Sequence, residues 1–302
     1  MAFRLNRNET VQSGVHRVAY ELIDRALREA HDRPDGEAKA VHRCRRACKS
    51  LRALLRLVRP VLDEAKAENA ALRDAARDLS AGRDRVVRVE TAAGLIDAIQ
   101  DPADADRARP VLEALQADLE SHRESARDDD ARLRDFHHAM EEARGRVSTW
   151  ELDAEGFEAI AGGLGRYYKR GRKAMRGAAG GGGTAYHAWR KRTKDVDHHL
   201  RLLSPTWPRV VKAMRKEASA LGDALGEHHD LVVLTETIEA DTAGYGGEEA
   251  VAVIRDAADA HRRELERRSH NVGRRLYAEP KGDFVKRLGA YWQQWRLEST
   301  RH

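Results

Sequence analysis

Apolar residues recur at every third or fourth position along nearly all of the 302 residues, and runs of β-branched residues are rare. This spacing gathers apolar side chains on one face of an α-helix, whereas a half-buried strand would alternate apolar and polar residues. Aromatic residues make up only 5% of the chain, so the helices would pack mainly through alanine, leucine and valine. The pattern predicts an all-α fold. Helices are expected near residues 8–31, 36–58, 61–82, 84–99, 105–145, 153–178, 184–203, 206–227, 229–241, 247–277 and 282–297.

A run of four glycines, residues 180–183, separates two of the predicted helices. The run lacks the Gly-Lys-Ser/Thr ending of a phosphate-binding loop, and we interpret it as a linker rather than as an anion cradle. Thr184 follows the run and is predicted to cap the next helix, because a threonine hydroxyl can accept from a free amide of the first turn.

Two segments of the chain resemble each other at an offset of 145 residues. Residues 41–60 (VHRCRRACKSLRALLRLVRP) and residues 186–205 (YHAWRKRTKDVDHHLRLLSP) are identical at seven positions, and a second pair of blocks further along matches almost in register. Self-similarity of this kind indicates repeated structural units. We therefore predict two helical bundles, residues 1–148 and residues 149–302, related by a pseudo-twofold axis within a single domain that spans residues 1–302.

Basic residues form a stripe of their own beside the apolar face of residues 41–60. This first basic stripe is displaced from the apolar positions by one residue, or about 100° around the helix. It consists of His42, Arg45, Lys49, Arg52, Arg56 and Arg59. The second basic stripe, in the second half, is interrupted by Asp197. It consists of His187, Arg190, Lys194 and Arg201.

Cations that recur at each helical turn repel one another unless something screens them. Unit charges about 5 Å apart repel by roughly 3 kcal/mol at an effective dielectric constant near 20. Residues 41–60 hold seven lysines and arginines and no acid. If both basic stripes face one cleft, an anionic ligand would supply the missing charge. Two other interpretations remain open: the stripes form a solvated surface, or they pair with acidic helices such as residues 118–130.

Three further cations share one face of the predicted helix at residues 153–178. Arg166, Arg170 and Lys173 follow the spacing i, i+4 and i+7. We expect them either to join the same cleft or to form an exposed helix end, where cations interact favourably with the helix dipole.

The chain carries no recognisable catalytic or metal-binding motif. It contains 14 histidines but no Gly-x-Ser-x-Gly, Glu-x-x-His or His-Glu-x-x-His sequence. His42 and His187 occupy equivalent positions at the start of the two basic stripes, where each would either contact the ligand or orient neighbouring core residues. We predict no catalytic residue, no metal and no cofactor.

The remaining features concern the cellular compartment. Cys44 and Cys48 are four residues apart on a predicted helix, with Cβ atoms about 5–6 Å from each other, whereas a relaxed disulfide needs about 3.5–4.5 Å. We therefore expect reduced core cysteines. The N-terminal sequence MAFRLNRNET has no apolar signal core, and no apolar run approaches about 18 residues. A cytoplasmic protein without membrane contact is predicted.

Four motifs, in order along the chain, resemble those of the CHAD family, the conserved histidine α-helical domain. Its pattern His-x-x-Arg-x-x-x-Arg/Lys-x-x-Arg is matched by His42, Arg45, Lys49 and Arg52, and in the second half by His187, Arg190, Lys191 and Lys194. The second half departs at Asp197 and His198, where the family tends to have Arg-Tyr. The segments LGEHHDLVVL (225–234) and RLGAYWQQW (287–295) are similar to two further family segments.

The resemblance implies a basic central cavity between two pseudo-twofold-related bundles, and this cavity would bind inorganic polyphosphate. It also implies a cytoplasmic protein that can associate with polyphosphate granules, and one without catalysis, since the enzymatic β-rich domain fused to some members has no counterpart here. A nucleic-acid binder is the main alternative, although the first basic stripe has no aromatic residue for base stacking. A polyphosphate hydrolase is a third. The residues expected to bind polyphosphate are His42, Arg45, Arg46, Lys49, Arg52, Arg56, Arg166, Arg170, Lys173, His187, Arg190, Lys191, Lys194 and Arg201.

Overall fold

The computed structural model describes residues 3–79, 83–125 and 129–298, and over these ranges the chain forms helices and short connections without a strand. The all-α prediction is therefore confirmed. The eleven α-helices described are α1 (Val11–Asp32), α2 (Glu37–Val58), α3 (Ala65–Asp78), α4 (Arg83–Ala98), α5 (Pro102–Ser125), α6 (Asp129–Arg146), α7 (Glu158–Ala178), α8 (Gly183–Leu203), α9 (Pro208–Glu239), α10 (Glu248–Leu276) and α11 (Lys281–Leu297). None of the helices in these ranges combines the length and the apolar composition needed to cross a membrane.

Several predicted helix bounds differ from the structure: α3 begins at Ala65 and not at residue 61, and α7 begins at Glu158 and not at residue 153. The single helix predicted at residues 105–145 is described as α5 and α6, and residues 126–128 between them lie outside the described part of the chain. The predicted cap at Thr184 is wrong, because α8 already begins at Gly183 with Gly182 as its N-cap and without a side-chain cap. Glycine is tolerated at an N-cap, so the glycine run starts the helix.

A further difference concerns α9, for which two helices were predicted at residues 206–227 and 229–241. The structure has one continuous helix whose first residue is Pro208, a position where proline costs no hydrogen bond. The predicted break falls at His228, which is buried within the helix, with its Nε2 2.9 Å from a Glu266 carboxylate oxygen on α10. A buried, paired side chain at this point favours continuation of the helix.

Buried apolar side chains form two clusters. The larger cluster joins α1, α2, α3, α6, α7, α8, α11, the first part of α9 and the end of α10, and it contains the fully buried Trp150 and Trp189. The smaller cluster joins α4, α5, α10 and the second part of α9. Each cluster combines helices from both sides of residue 148, so packing does not follow the predicted boundary, and the two halves stay a prediction.

Helix α2, which carries the first basic stripe, is held closely by α7 and α8. A Cβ atom at Gly163 of α7 would lie 1.7 Å from the carbonyl oxygen of Leu57, so only glycine permits this approach of α7 to α2. On α8, His199 places Nε2 3.0 Å from the carbonyl oxygen of Ala53. Because a carbonyl can only accept, Nε2 carries the proton of this bond. These contacts fix α2 beside α8.

Both cysteines lie in the core, as the sequence predicted. Cys44 and Cys48 are fully buried and form no disulfide. Burial raises the pKa of each thiol to about 12, because the thiolate would lose its hydration. The two residues therefore act as small apolar side chains that pack α2 against α1.

Candidate anion-binding site

A pocket of about 1740 Å³ is enclosed by side chains of α2, α4, α8, α9 and α10. Eleven of the fourteen residues predicted to bind the ligand line this pocket, whereas Arg59 at the end of the first basic stripe does not. The eleven are His42, Arg45, Arg46, Lys49, Arg52 and Arg56 on α2, and His187, Arg190, Lys191, Lys194 and Arg201 on α8. The structure thus brings residues of both basic stripes to one pocket.

The charges of the pocket differ between its helices. Of the described lining residues, those on α2 and α8 include ten lysines and arginines but only two aspartates. Those on α4, α9 and α10 include six acids and two arginines. The positive charge is therefore concentrated on α2 and α8, and the lining as a whole keeps more cations than carboxylates.

Arg52 of the first basic stripe is only weakly neutralised by its surroundings. Its side chain is half-buried, and its Nε donates a long hydrogen bond of 3.4 Å to the Asn69 side-chain oxygen. Within the described ranges no carboxylate pairs with it. Burial, followed by the charge of Arg56, lowers the pKa of Arg52 to about 10. A cation in this state gains free energy when an anion approaches it.

One buried carboxylate joins the two basic helices. Asp195 on α8 accepts a hydrogen bond of 2.7 Å from Nη1 of Arg56 on α2, and its second oxygen lies 3.2 Å from Nη1 of Arg192. The Asp195 side chain is only 3% exposed. A single negative charge is shared by two guanidinium groups, so this part of the pocket remains positive.

The second basic stripe lies against α9. Lys194 places Nζ 2.7 Å from the exposed carboxylate of Asp223. Arg190 extends over Gly226, and its Nε is buried without a hydrogen-bond partner in the described structure. Lys191 is exposed beside them. The described protein therefore leaves this donor of Arg190 without an acceptor.

Asp197, which interrupts the second basic stripe in the sequence, is compensated by an arginine that was not among the predicted binding residues. Its carboxylate lies 3.2 Å from Nε of Arg215 on α9, and both residues line the pocket. Arg88 and Arg192 also line the pocket and were missed. Arg192 belongs to a run of bases, but it is two residues from Arg190 and so lies off the stripe.

Two histidine rings lie against each other in the pocket. The rings of His187 and His229 have centroids 3.9 Å apart. Burial first, and then the charge of His229 and nearby cations, lowers the pKa of His187 to about 4. Burial also lowers the pKa of His229. Both rings are therefore neutral near pH 7. Among the described residues, no group of three or more histidine, cysteine, aspartate or glutamate side chains could hold a metal ion.

The three cations predicted on α7 are not brought to the pocket. Arg166, Arg170 and Lys173 are exposed, and none of them lines it. The Arg170 guanidinium lies 5.4 Å from the ring centroid of Tyr167, the same ring that Arg192 contacts at 5.4 Å. Arg170 therefore adjoins a pocket residue, while Arg166 and Lys173 lie on the exposed surface of α7; Arg166 lies in the first half of the helix and not at its end.

The helices that form the pocket lie largely within a match to a known family. The family model of the CHAD domain matches residues 17–239, which include α2, α4, α8 and α9. A search of the curated proteins gives no match. Because the family model covers more than half of the chain, this protein belongs to the CHAD family.

Proposed function

We propose that this protein binds inorganic polyphosphate in the pocket between α2 and α8 and that it does so without catalysis. One observation carries the proposal: side chains of both basic stripes line one pocket, where α2 and α8 contribute ten lysines and arginines and two aspartates. A polyanion would supply the negative charge that these two helices do not contain. Membership of the CHAD family is consistent with a polyphosphate-related function.

The spacing of the cations suits a linear ligand with regularly spaced charges. Stripe residues three or four apart are about 5 Å apart along the helix axis, so successive phosphates can each meet a guanidinium or ammonium group. Each charge-assisted hydrogen bond contributes about 1.5–3 kcal/mol. Release of counterions from the ligand would make the affinity fall steeply as salt is added.

Nucleic acid is the main alternative ligand, because it presents phosphates with similar chemistry. Proteins that bind single strands without sequence preference usually stack bases on aromatic side chains. The described residues that line this pocket include no phenylalanine, tyrosine or tryptophan. This composition favours a ligand that consists of phosphates alone.

We also propose that the halves at residues 1–148 and 149–302 form an internal repeat around this cavity. The order of helices supports this: α1, α2, α5 and α6 have counterparts in α7, α8, α10 and α11, and the long α9 stands where the first half has α3 and α4. His42 and His187, equivalent in the sequence repeat, both line the pocket. A cytoplasmic protein associated with polyphosphate granules would match this ligand.

A salt-titrated binding experiment tests the proposal. Labelled polyphosphate and labelled single-stranded DNA of equal charge are titrated with the protein over a series of salt concentrations, and each is then used to displace the other. Polyphosphate should bind more tightly and displace DNA, whereas DNA should displace polyphosphate poorly. Equal or tighter binding of DNA would refute polyphosphate as the preferred ligand. Phosphate release in the presence of Mg²⁺ or Mn²⁺ would refute the absence of catalysis.

A further inference from the structure

Helix α9 carries two glycines, Gly222 and Gly226, at the places where the cations of α8 cross it. The glycines are four residues apart, so they lie on the same face of the helix. A Cβ atom added at Gly222 would lie 2.9 Å from Cε and 3.2 Å from Nζ of Lys194. A Cβ atom added at Gly226 would lie 3.2 Å from Nε and 3.3 Å from Nη2 of Arg190.

Neither glycine is explained by the backbone of α9. Both lie within the helix, and neither has a positive φ that would require glycine. Glycine in a helix interior is unfavourable relative to alanine, because it has more conformational freedom to lose. Both glycines carry this disadvantage, and each contacts a cation that lines the pocket. This coincidence indicates that the glycines help to place those cations.

We propose that Gly222 and Gly226 are positioning residues for polyphosphate binding. The bare backbone of α9 lets Lys194 and Arg190 lie directly across the helix, with their charged groups held in the pocket. A Cβ atom at Gly226 would make a tight contact with the guanidinium of Arg190, which would have to shift by a few tenths of an ångström. This inference rests on the proposed function, since it assigns a role within the same pocket.

The two glycines meet side chains of different flexibility, so the effects of substitution should differ too. The Arg190 guanidinium is rigid and planar, and its Nε is buried. Lys194 ends in a flexible chain whose ammonium group already reaches Asp223. An alanine at Gly226 would therefore displace a guanidinium that is already held in place for the ligand. An alanine at Gly222 would displace the end of the Lys194 side chain, which can rotate to a nearby position.

Alanine substitutions distinguish an effect of the glycines on ligand affinity from an effect on the stability of the protein. The variants are Gly226→Ala, Gly222→Ala and the control Gly177→Ala, which lies within α7, does not line the pocket and has no atom within 4 Å of its added Cβ. Gly226→Ala should weaken polyphosphate binding about tenfold, the loss of one charge-assisted hydrogen bond. Gly222→Ala should have a smaller effect. Gly177→Ala should leave affinity unchanged, and no variant should lower the melting temperature.

A double-mutant cycle with Arg190→Ala then identifies the residue through which Gly226 acts. If Gly226→Ala acts by displacing the arginine, it should have no further effect on affinity once Arg190 is alanine. The inference would be overturned if Gly226→Ala bound polyphosphate with wild-type affinity. It would also be overturned if the double variant lost affinity by the product of the two single losses. If the wild-type protein does not bind polyphosphate, the proposed function fails and this inference with it. Binding that depends on Arg190 but not on Gly226 contradicts the inference alone.

Discussion

Arg56 on α2 and Asp195 on α8 form a hydrogen-bonded ion pair of 2.7 Å, with 19% and 3% of their side chains exposed. The pair connects the two helices that carry the basic stripes, and Arg192 shares the same carboxylate at 3.2 Å. The connection therefore has two roles: it fixes the helices relative to each other, and it leaves one positive charge in excess within the pocket.

Removal of this shared carboxylate should destabilise the protein. Asp195→Asn leaves two arginines without their buried partner, and loss of one member of a buried ion pair costs about 3–5 kcal/mol. Urea denaturation should show a decrease of this size in the free energy of unfolding. The control Asp223→Asn removes the partner of Lys194, but the Asp223 side chain is 71% exposed. Its expected cost is about 0–1 kcal/mol, and equal effects of both substitutions would contradict the role assigned to Asp195.

The approach of α7 to α2 gives a second prediction. Gly163→Ala places a Cβ atom 1.7 Å from the Leu57 carbonyl oxygen, so the two helices must separate. Overpacking of this kind costs about 1–3 kcal/mol or more. Gly177→Ala is the matched control, because it lies on the same helix with nothing within 4 Å. It should stabilise the protein by about 0.5–1 kcal/mol through helix propensity. A Gly163→Ala protein with wild-type stability would show that the close approach is unimportant.

The pH dependence of stability follows from two histidines, His187 and His199. Burial is the main cause that lowers the pKa of each from 6.5 to about 4. Between these values the unfolded chain binds more protons than the folded protein, so stability falls as the pH falls from 6.5 towards 4. The maximum slope is about 1.4 kcal/mol per pH unit for each histidine. Denaturation at pH 7 and pH 5 should show this loss, and His199→Gln should reduce it; a pH-independent free energy of unfolding would contradict the neutral state of these rings.

Ligand binding should have the opposite pH dependence. His187 lies against His229 in the pocket, near Arg190, Lys191 and Asp84. A bound polyanion stabilises the protonated rings and raises their pKa values, so binding takes up protons and affinity should increase as the pH falls from 7.5 to 5.5. Titrations in two buffers of different ionisation enthalpy would measure this uptake. His187→Gln should reduce it, and an unchanged proton count in that variant would remove His187 from the ligand contacts.

The features that the sequence predicted well depend on local periodicity. The basic stripe that starts at His42 and the one that starts at His187 follow from spacing along a single helix, and most of their residues line one pocket. Arg215 could not be found in this way, because it reaches the pocket from α9, next to Asp197. Lys173 was expected either in the cleft or at an exposed helix end, and spacing alone could not tell which neighbours α7 would meet. Tertiary packing decides these cases.

Charge reversal is the most direct intervention at the pocket, and it needs a control that changes net charge equally. Arg268 and Arg275 lie exposed on α10 and do not line the pocket. The double reversal Arg268→Glu and Arg275→Glu therefore alters long-range electrostatics without touching the proposed site. Its effect on affinity should be small and should disappear at high salt.

The decisive measurement is the polyphosphate affinity of two further double reversals, one for each basic stripe, at a fixed salt concentration. The first is Arg45→Glu with Lys49→Glu, and the second is Arg190→Glu with Lys194→Glu. If both stripes grip one polyanion, each pair should weaken binding at least about 100-fold, the equivalent of two charge-assisted contacts, while the helical circular dichroism signal is retained. Affinities equal to that of the control variant for both pairs would contradict a binding site in this pocket.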